Sequence, residues 1–354
     1  MAKILFITMP ITGHINPGLP IARQLVQQGH EVLWYTGKKF KQTIEATGAT
    51  HFPAGEKFDF DDSDIDGSFP DRKKLKGIEQ LKFDLKRIFT DHIPYSLREI
   101  QDILKTFPAT VTVVDTACAT GAMLTELGGP PCVAFGITAL PLSSDEVAPF
   151  GLGLLPDASL GGKLRNRLLQ QLATRVIFKD VLACRNGVRA ELKLPPDHRG
   201  LFEDVLQGST LYLQGTVPEF EYQRSNMPSH VRFIGPLLPD APKDAEKPLW
   251  WNEMVNSSAP VVHISQGTIA TSTDDLIVPA IFALADMDVL VVVSSKTLHP
   301  STQAHLPANV RVADFLPYSE LMKHVDVFVT NGGYGGVHYA LAHAVPIVVG
   351  GTTE

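Results

Sequence analysis

Short, uninterrupted apolar runs alternate along this chain with longer stretches whose apolar residues recur at helical spacing. Lys3 to Met9, His30 to Thr36, Val111 to Val114 and Pro131 to Phe135 are such runs, and they read as strands buried in a parallel sheet. Gly208 to Leu213 and Val231 to Ile234 read as the last strands of this half. Leu19 to Gln28, closed by Gly29, and Lys38 to Thr47, closed by Gly48, read as helices. Ile78 to Thr106 keeps helical spacing but contains Pro94, which predicts a kink or a split. Ala117 to Leu127 is a further helix. Leu160 to Leu194, rich in leucine, predicts two helices packed over one edge of the cleft. Glu56 to Lys76 is polar, charged and full of breakers, which predicts a mobile loop, either a solvated insertion or a flexible wall of a substrate cleft.

The second half restarts the same grammar. Pro260 to Ile264, Val289 to Val293, Val310 to Ala313, Val327 to Thr330 and Ile347 to Val349 read as strands. Asp274 to Ala285, with Thr273 or Asp274 near its cap, Ser319 to His324 and Val337 to His343 read as helices. Between the halves lies PLLPDAPKDAEKP, residues 236–248, whose proline and charge mark a linker. The pattern therefore predicts an α/β protein of two Rossmann-like domains facing across a cleft, residues 1–235 and 249–354.

Composition narrows what such a protein does. Its 354 residues carry a net charge of -7 with 44% hydrophobic and 19% charged residues. That balance is ordinary for a globular chain and argues against nucleic acid as the main partner. Cys118, Cys132 and Cys184 lack metal-ligand spacing and fit a reducing compartment. The first apolar run is too short for a secretory leader and no window is long enough to span a bilayer, so the expected location is cytoplasmic.

The candidate chemistry lies just past strand ends. Asn331-Gly332-Gly333-Tyr334-Gly335-Gly336 follows a strand and precedes a helix. Glycines there admit close approach of a ligand, and the amides of a helix start favour an anion such as a phosphate. Ser265-Gln266-Gly267-Thr268 follows another strand. Asp115 ends a strand in the first half, and His14 lies in a Gly/Pro loop after the first strand. Each has a plainer reading: His14 as a loop residue, Asp115 as a helix cap, Ser265 and Thr268 as turn hydroxyls. His263, inside an apolar strand, reads as a core histidine. The spacing is neither a dinucleotide G-x-G-x-x-G nor a P-loop.

Taken together these segments resemble a known family. Gly13-His14-Ile15-Asn16-Pro17, Val114-Asp115, the Ser265–Thr268 loop, Phe315-Leu316-Pro317 and Thr330-Asn331-Gly332-Gly333 running into Pro346 resemble the family 1 glycosyltransferases of GT-B type, the group of UDP-glycosyltransferases and macrolide glycosyltransferases. The similarity runs over nearly the whole chain. It implies an inverting transfer from a nucleoside diphosphate sugar, UDP by family frequency, to a hydroxyl of a small apolar acceptor, with neither cofactor nor metal. It implies His14 as base and Asp115 as its partner. Ser265, Gly267, Thr268, Asn331, Gly332, Gly333, Gly335 and Gly336 would then hold the donor.

This sequence departs from the family pattern at four places. Asn331 stands where the family has a histidine on the diphosphate, Gly336 where it has serine, and Tyr339 where it has a glutamate on the ribose. The family also continues beyond the position of Glu354 with an acidic-polar pair and further helices. That departure predicts a C-terminally truncated second domain, and with it a second reading: a non-catalytic remnant that binds without turnover. Another GT-B-shaped enzyme, such as an epimerase, is a third.

Overall fold

The computed structural model describes residues 1–200, 202–240, 246–266 and 272–350. It divides into two compact units, Met1–Leu237 and Leu238–Glu354, and the division falls inside the proline-rich 236–248 stretch. Of the expected donor loop, Gly267 and Thr268 lie outside the described residues.

The first unit is a seven-stranded sheet. Its strands are β1 (Lys3–Ile7), β2 (Glu31–Thr36), β3 (Thr50–Pro53), β4 (Val111–Asp115), β5 (Cys132–Gly136), β6 (Leu211–Gln214) and β7 (Val231–Phe233). The order is β3-β2-β1-β4-β5-β6-β7, and every pair is parallel. Parallel strands need crossovers, so helices cover both faces and the strands are apolar on both sides. Successive residues of β1 accordingly enter different cores. Leu5 and Ile7 pack with Met9, Val114 and Ile100, whereas Ile4 and Phe6 pack with Trp34, Phe135 and Leu19.

The second unit has five strands in the order β10-β9-β8-β11-β12. They are β8 (Val261–Ser265), β9 (Leu290–Ser294), β10 (Val310–Ala313), β11 (Val327–Thr330) and β12 (Ile347–Val349). All are parallel, and the two faces again feed separate cores, one around Val292 and Phe328 and one around Ile264 and Val293.

Several expectations need correction. The 56–76 stretch is not a bare mobile loop. It folds into the turns Asp62–Asp64, Ile65–Ser68 and Pro70–Lys74, two of them capped by the carboxylates of Asp61 and Asp64. Arg72 pins it by ion pairs to Asp66 and Asp84. The last helix begins at Tyr334, ahead of the expected Val337, because Gly335 and Gly336 continue helical backbone instead of a loop. Ile93–Thr106 starts afresh at Pro94, which sits in its first turn where a missing N–H costs nothing. The leucine-rich stretch does form two helices, Leu160–Leu172 and Lys179–Glu191, joined by a π turn at Ala173–Ile177. Its leucine stripe, however, faces solvent instead of packing inward.

Candidate functional site

In an open parallel sheet, ligands gather outside the carboxyl ends of the strands, where the strand order reverses. In the first unit that point lies between β1 and β4. The chain leaves β1 at Ile7 and enters a single helical turn, Thr12–Ile15, that carries His14. Asp115 is the last residue of β4. The His14 Nδ1 lies 2.8 Å from Asp115 Oδ1, with the carboxylate fully buried and the imidazole 14% exposed. A carboxylate only accepts, so Nδ1 is the protonated nitrogen and the Nε2 lone pair is left for another group.

Asp115 is itself held. Its Oδ1 also accepts from the Ala117 amide at 2.9 Å, and its Oδ2 accepts from the Met9 amide at 2.8 Å. The second of these ties the β1 loop to the end of β4. The helix-cap reading of Asp115 does not hold, because the following helix begins at Thr120 with Ala119 at its cap.

Two further groups belong to this place, and sequence reasoning missed both. Asp62 Oδ2 accepts from the amide (2.7 Å) and hydroxyl (2.6 Å) of Thr12, the first residue of the His14 turn. Lys39 neutralises Asp61 and Asp62 together. The Asp-rich stretch thus clamps the turn that presents His14. No spacing signal could have singled out Asp62 among the carboxylates around it. The second group is His92, fully buried, with Nδ1 3.2 Å from the Ser96 hydroxyl and its ring 4.3 Å from that of Phe58. Burial drives its pKa down from 6.5 to about 3, although the Asp115 charge pulls the other way. His92 is a neutral packing group behind the pair. The wall beside His14 is apolar: the Phe89 ring stacks on it at 6.0 Å, and Ile11, Phe60 and Phe69 pack onto the same core.

In the second unit the order reverses between β8 and β11. Ser265 ends β8, pairs in register with Thr330 at the end of β11, and is buried. Directly after it, Gln266 is buried with neither amide atom hydrogen-bonded among the described residues. After Thr330 come Asn331, also buried, and Gly332 at φ +103, a backbone conformation that side chains resist. Gly333 then caps the helix Tyr334–Ala342 without any side-chain bond. The Gly333 carbonyl accepts from the Val337 amide. The amides of Tyr334, Gly335 and Gly336 therefore precede the first helical bond and point out along the axis.

The two glycines of that turn differ. A Cβ on Gly335 would meet nothing within 4 Å, whereas one on Gly336 would lie 3.3 Å from the Phe328 ring. Gly336 is thus small where the helix packs on β11. Tyr339, where the family has its ribose glutamate, donates its hydroxyl to the Pro239 carbonyl at 2.6 Å. His338 is buried and turns Nδ1 to the carbonyl of Tyr334 at 2.7 Å, within its own helix. His263 is the core histidine expected: it stacks on Phe328, bonds the Val292 carbonyl, and is pushed down to about 4 by burial.

A histidine held by a buried carboxylate at one switch point, and a glycine turn feeding a helix start at another, stand in two parallel-sheet units of GT-B architecture. Solved structures share the architecture. The glycosyltransferase of kitacinnamycin superposes with a TM-score of 0.70 at 18% identity, over 99% of this chain and 81% of that one. The calicheamicin glycosyltransferase CalG4 gives 0.66 at 19% identity, over 99% and 79%. Residues 280–353 match the family described as erythromycin biosynthesis protein CIII-like, C-terminal domain. The chain is 43% identical to 4'-demethylrebeccamycin synthase of Lentzea aerocolonigenes over 353 residues, 100% of this chain and 83% of that protein. It is 33% identical to UDP-glycosyltransferase 2 of Phaeomoniella chlamydospora, over 99% of this chain and 80% of the relative. The chain belongs to the family 1 glycosyltransferases, and it is a glycosyltransferase.

Proposed function

We propose that the chain transfers a sugar, with inversion, from UDP-sugar to a hydroxyl of a small apolar acceptor. The observation that carries this reading is the His14–Asp115 pair at the β1/β4 switch point. An acceptor hydroxyl is a poor nucleophile until its proton leaves. His14 Nε2 takes that proton as the acceptor oxygen bonds to the anomeric carbon. The bond from that carbon to the diphosphate oxygen breaks, and its electron pair departs on the nucleoside diphosphate. Asp115 stabilises the imidazolium that results. Attack opposite the leaving group inverts the anomeric centre.

The apolar wall of Phe89, Ile11, Phe60 and Phe69 supports an apolar acceptor. For the donor, the support is the helix start at Tyr334–Gly336, with Ser265, Gln266 and Asn331 beside it at the strand ends. Backbone amides there meet the growing diphosphate charge, so the scheme calls for no metal ion. The choice of uridine rests on relatives named as UDP-dependent; one neighbouring structure is described as complexed with thymidine diphosphate.

The test pairs calorimetry with turnover. His14→Ala should lower the transfer rate by about 10²–10⁴-fold while UDP binding stays within twofold of the parent, and TDP should bind more weakly. An unchanged rate in His14→Ala removes the base assignment. Tighter binding of TDP than UDP replaces the donor.

A further inference from the structure

Residues 60–75 lie against the His14 turn yet share no main-chain ladder with the rest of the first unit. The backbone amides of Asp64, Phe69, Arg72 and Leu75 bond carbonyls of the same stretch, those of Asp61, Ile65, Phe69 and Arg72, and no backbone–backbone bond among the described residues leaves it. Single turns closed on themselves can lift as a body without breaking a strand or helix elsewhere. The ends suit that motion. Phe58 is buried and packs on the rings of Tyr35 and His92, which fixes the chain before the stretch. Gly77, after it, has φ +54, and a Cβ there would meet nothing within 4 Å. Glycine takes that conformation without strain, so the chain can pivot at this point.

Few side chains hold the stretch down. Asp62 joins it to the His14 turn, accepting two hydrogen bonds from Thr12 with its carboxylate only 9% exposed. Lys39 reaches Asp61 and Asp62 from the turn that follows β2. Arg72 pairs with Asp84 on the helix Gly77–Arg87. The underside is apolar: Phe60, Ile65 and Phe69 pack on the core that contains Met9, and the Phe60 and Phe69 rings meet edge to face at 5.5 Å.

We propose that residues 60–76 are a lid on the acceptor side of His14, that it swings at Gly77 to admit the acceptor, and that Asp62 is the latch that returns it and sets the base. The proposal rests on the reading of His14 as base. The imidazole is 14% exposed with the lid down, beside a wall of rings, so bringing an apolar acceptor to Nε2 calls for part of that wall to withdraw. Phe60 and Phe69 belong to the stretch that has no main-chain tie. Thr12 opens the same four-residue turn that carries His14. Raising the lid therefore removes the carboxylate that fixes the turn, and lowering it restores that carboxylate while covering the acceptor. Closure and base placement become one event, and water is kept from the sugar until both are in place. Asp62 is a positioning residue in this scheme, acting on His14 through Thr12.

The motion is read first without substrate. Cys118 and Cys132 are buried, so nitroxide labels on Lys73→Cys and Lys105→Cys in a Cys184→Ser background report one distance from the lid to the body of the unit. Pulsed electron resonance should show a main distance and a minor second one, and Asp62→Ala should raise the minor population roughly fivefold relative to the main one. One distance shared by the parent and Asp62→Ala overturns the lid. Turnover is read next, with UDP-glucose as donor and 1-naphthol as acceptor. Oxidised Thr12→Cys/Asp62→Cys, its lid tied down, should transfer at least about tenfold more slowly than the same protein reduced, with UDP affinity equal in the two states and the rate recovered on adding dithiothreitol. Equal transfer by the oxidised and reduced forms overturns the lid as well. The distance measurement needs no sugar chemistry, so a failure of the base assignment, seen in His14→Ala, is distinguishable from a failure of the lid.

Discussion

The two units place their chemistry at the same topological point but build it from different parts. In the first unit the groups proposed to work are side chains, each fixed by others: His14 by Asp115, Asp115 by the amides of Met9 and Ala117, and the His14 turn by Asp62. In the second they are mainly main-chain groups, the amides that open the helix at Tyr334. The difference matches the tasks proposed for them. Moving a proton needs one titratable group at one place, whereas spreading diphosphate charge needs only oriented dipoles. It also explains how the second unit accommodates Asn331 and Tyr339 where the family has histidine and glutamate. The amides remain whatever the side chains become, and the Tyr339 hydroxyl has been turned to holding Pro239.

That contrast can be broken experimentally. The largest effect should come from Asp115→Asn, which keeps the shape of the side chain but no longer stabilises a charged imidazole. The expected fall in turnover is about 10²–10⁴-fold, with UDP affinity unchanged by calorimetry. A loss of affinity instead would mean that the first unit also holds donor. Next is Gly335→Ala, where a methyl group meets empty space. As a plain helix position it should gain about 0.5–1 kcal/mol of stability. As a phosphate contact it should also lose roughly tenfold in UDP affinity. Greater thermal stability with unaltered UDP affinity would remove the main-chain account of the donor site.

Acid dependence compares the units through His92 in the first and His263 in the second. His92 is held at about 3 and His263 at about 4, against an ordinary 6.5. Below pH 6.5 the unfolded chain takes up protons that these folded residues refuse, so stability must fall as pH drops from 6.5 toward 4. Each proton contributes up to about 1.4 kcal/mol per pH unit. Melting temperatures measured between pH 8 and 4 should show that decline, shallower in His92→Gln. A flat profile contradicts the burial of both rings. The smallest effect is expected from Asp62→Ala, which removes the anchor of the His14 turn. A cost of about 1 kcal/mol should lower the melting temperature by roughly 2–4 °C and slow turnover without changing donor affinity, with Asp62→Asn largely restoring both.

Much of this arrangement was legible in the residues. The apolar runs located β1, β2, β4 and β5 within a residue or two, because strands buried on both faces leave no polar alternation to blur their limits. β3 was not read: Thr50–Pro53 is short, ends in proline and buries only one side chain. The start of the last helix was misplaced because glycines signal a turn more strongly than a helix, and only tertiary packing, Gly336 against Phe328, settles the conformation there. His14 and Asp115 could be named from motif and position, but their union depends on β1 and β4 being neighbours across more than a hundred residues. The leucine-rich stretch 160–194 reads as two helices packed over one edge of the cleft, and both helices are there, but spacing alone does not tell which side of a helix faces the protein.

The strand order has a consequence for the birth of the chain. β1 lies inside its sheet, between β2 and β4. Its second neighbour, however, is not made until residue 115 has been synthesised. At the pace of a ribosome that is a delay of roughly 5–20 seconds. During it Ile4, Leu5, Phe6 and Ile7 form an open apolar edge able to pair with another nascent chain. Yield on expression should therefore respond to anything that shields this edge, such as a holding chaperone or lower temperature, more than to changes in the finished protein's stability.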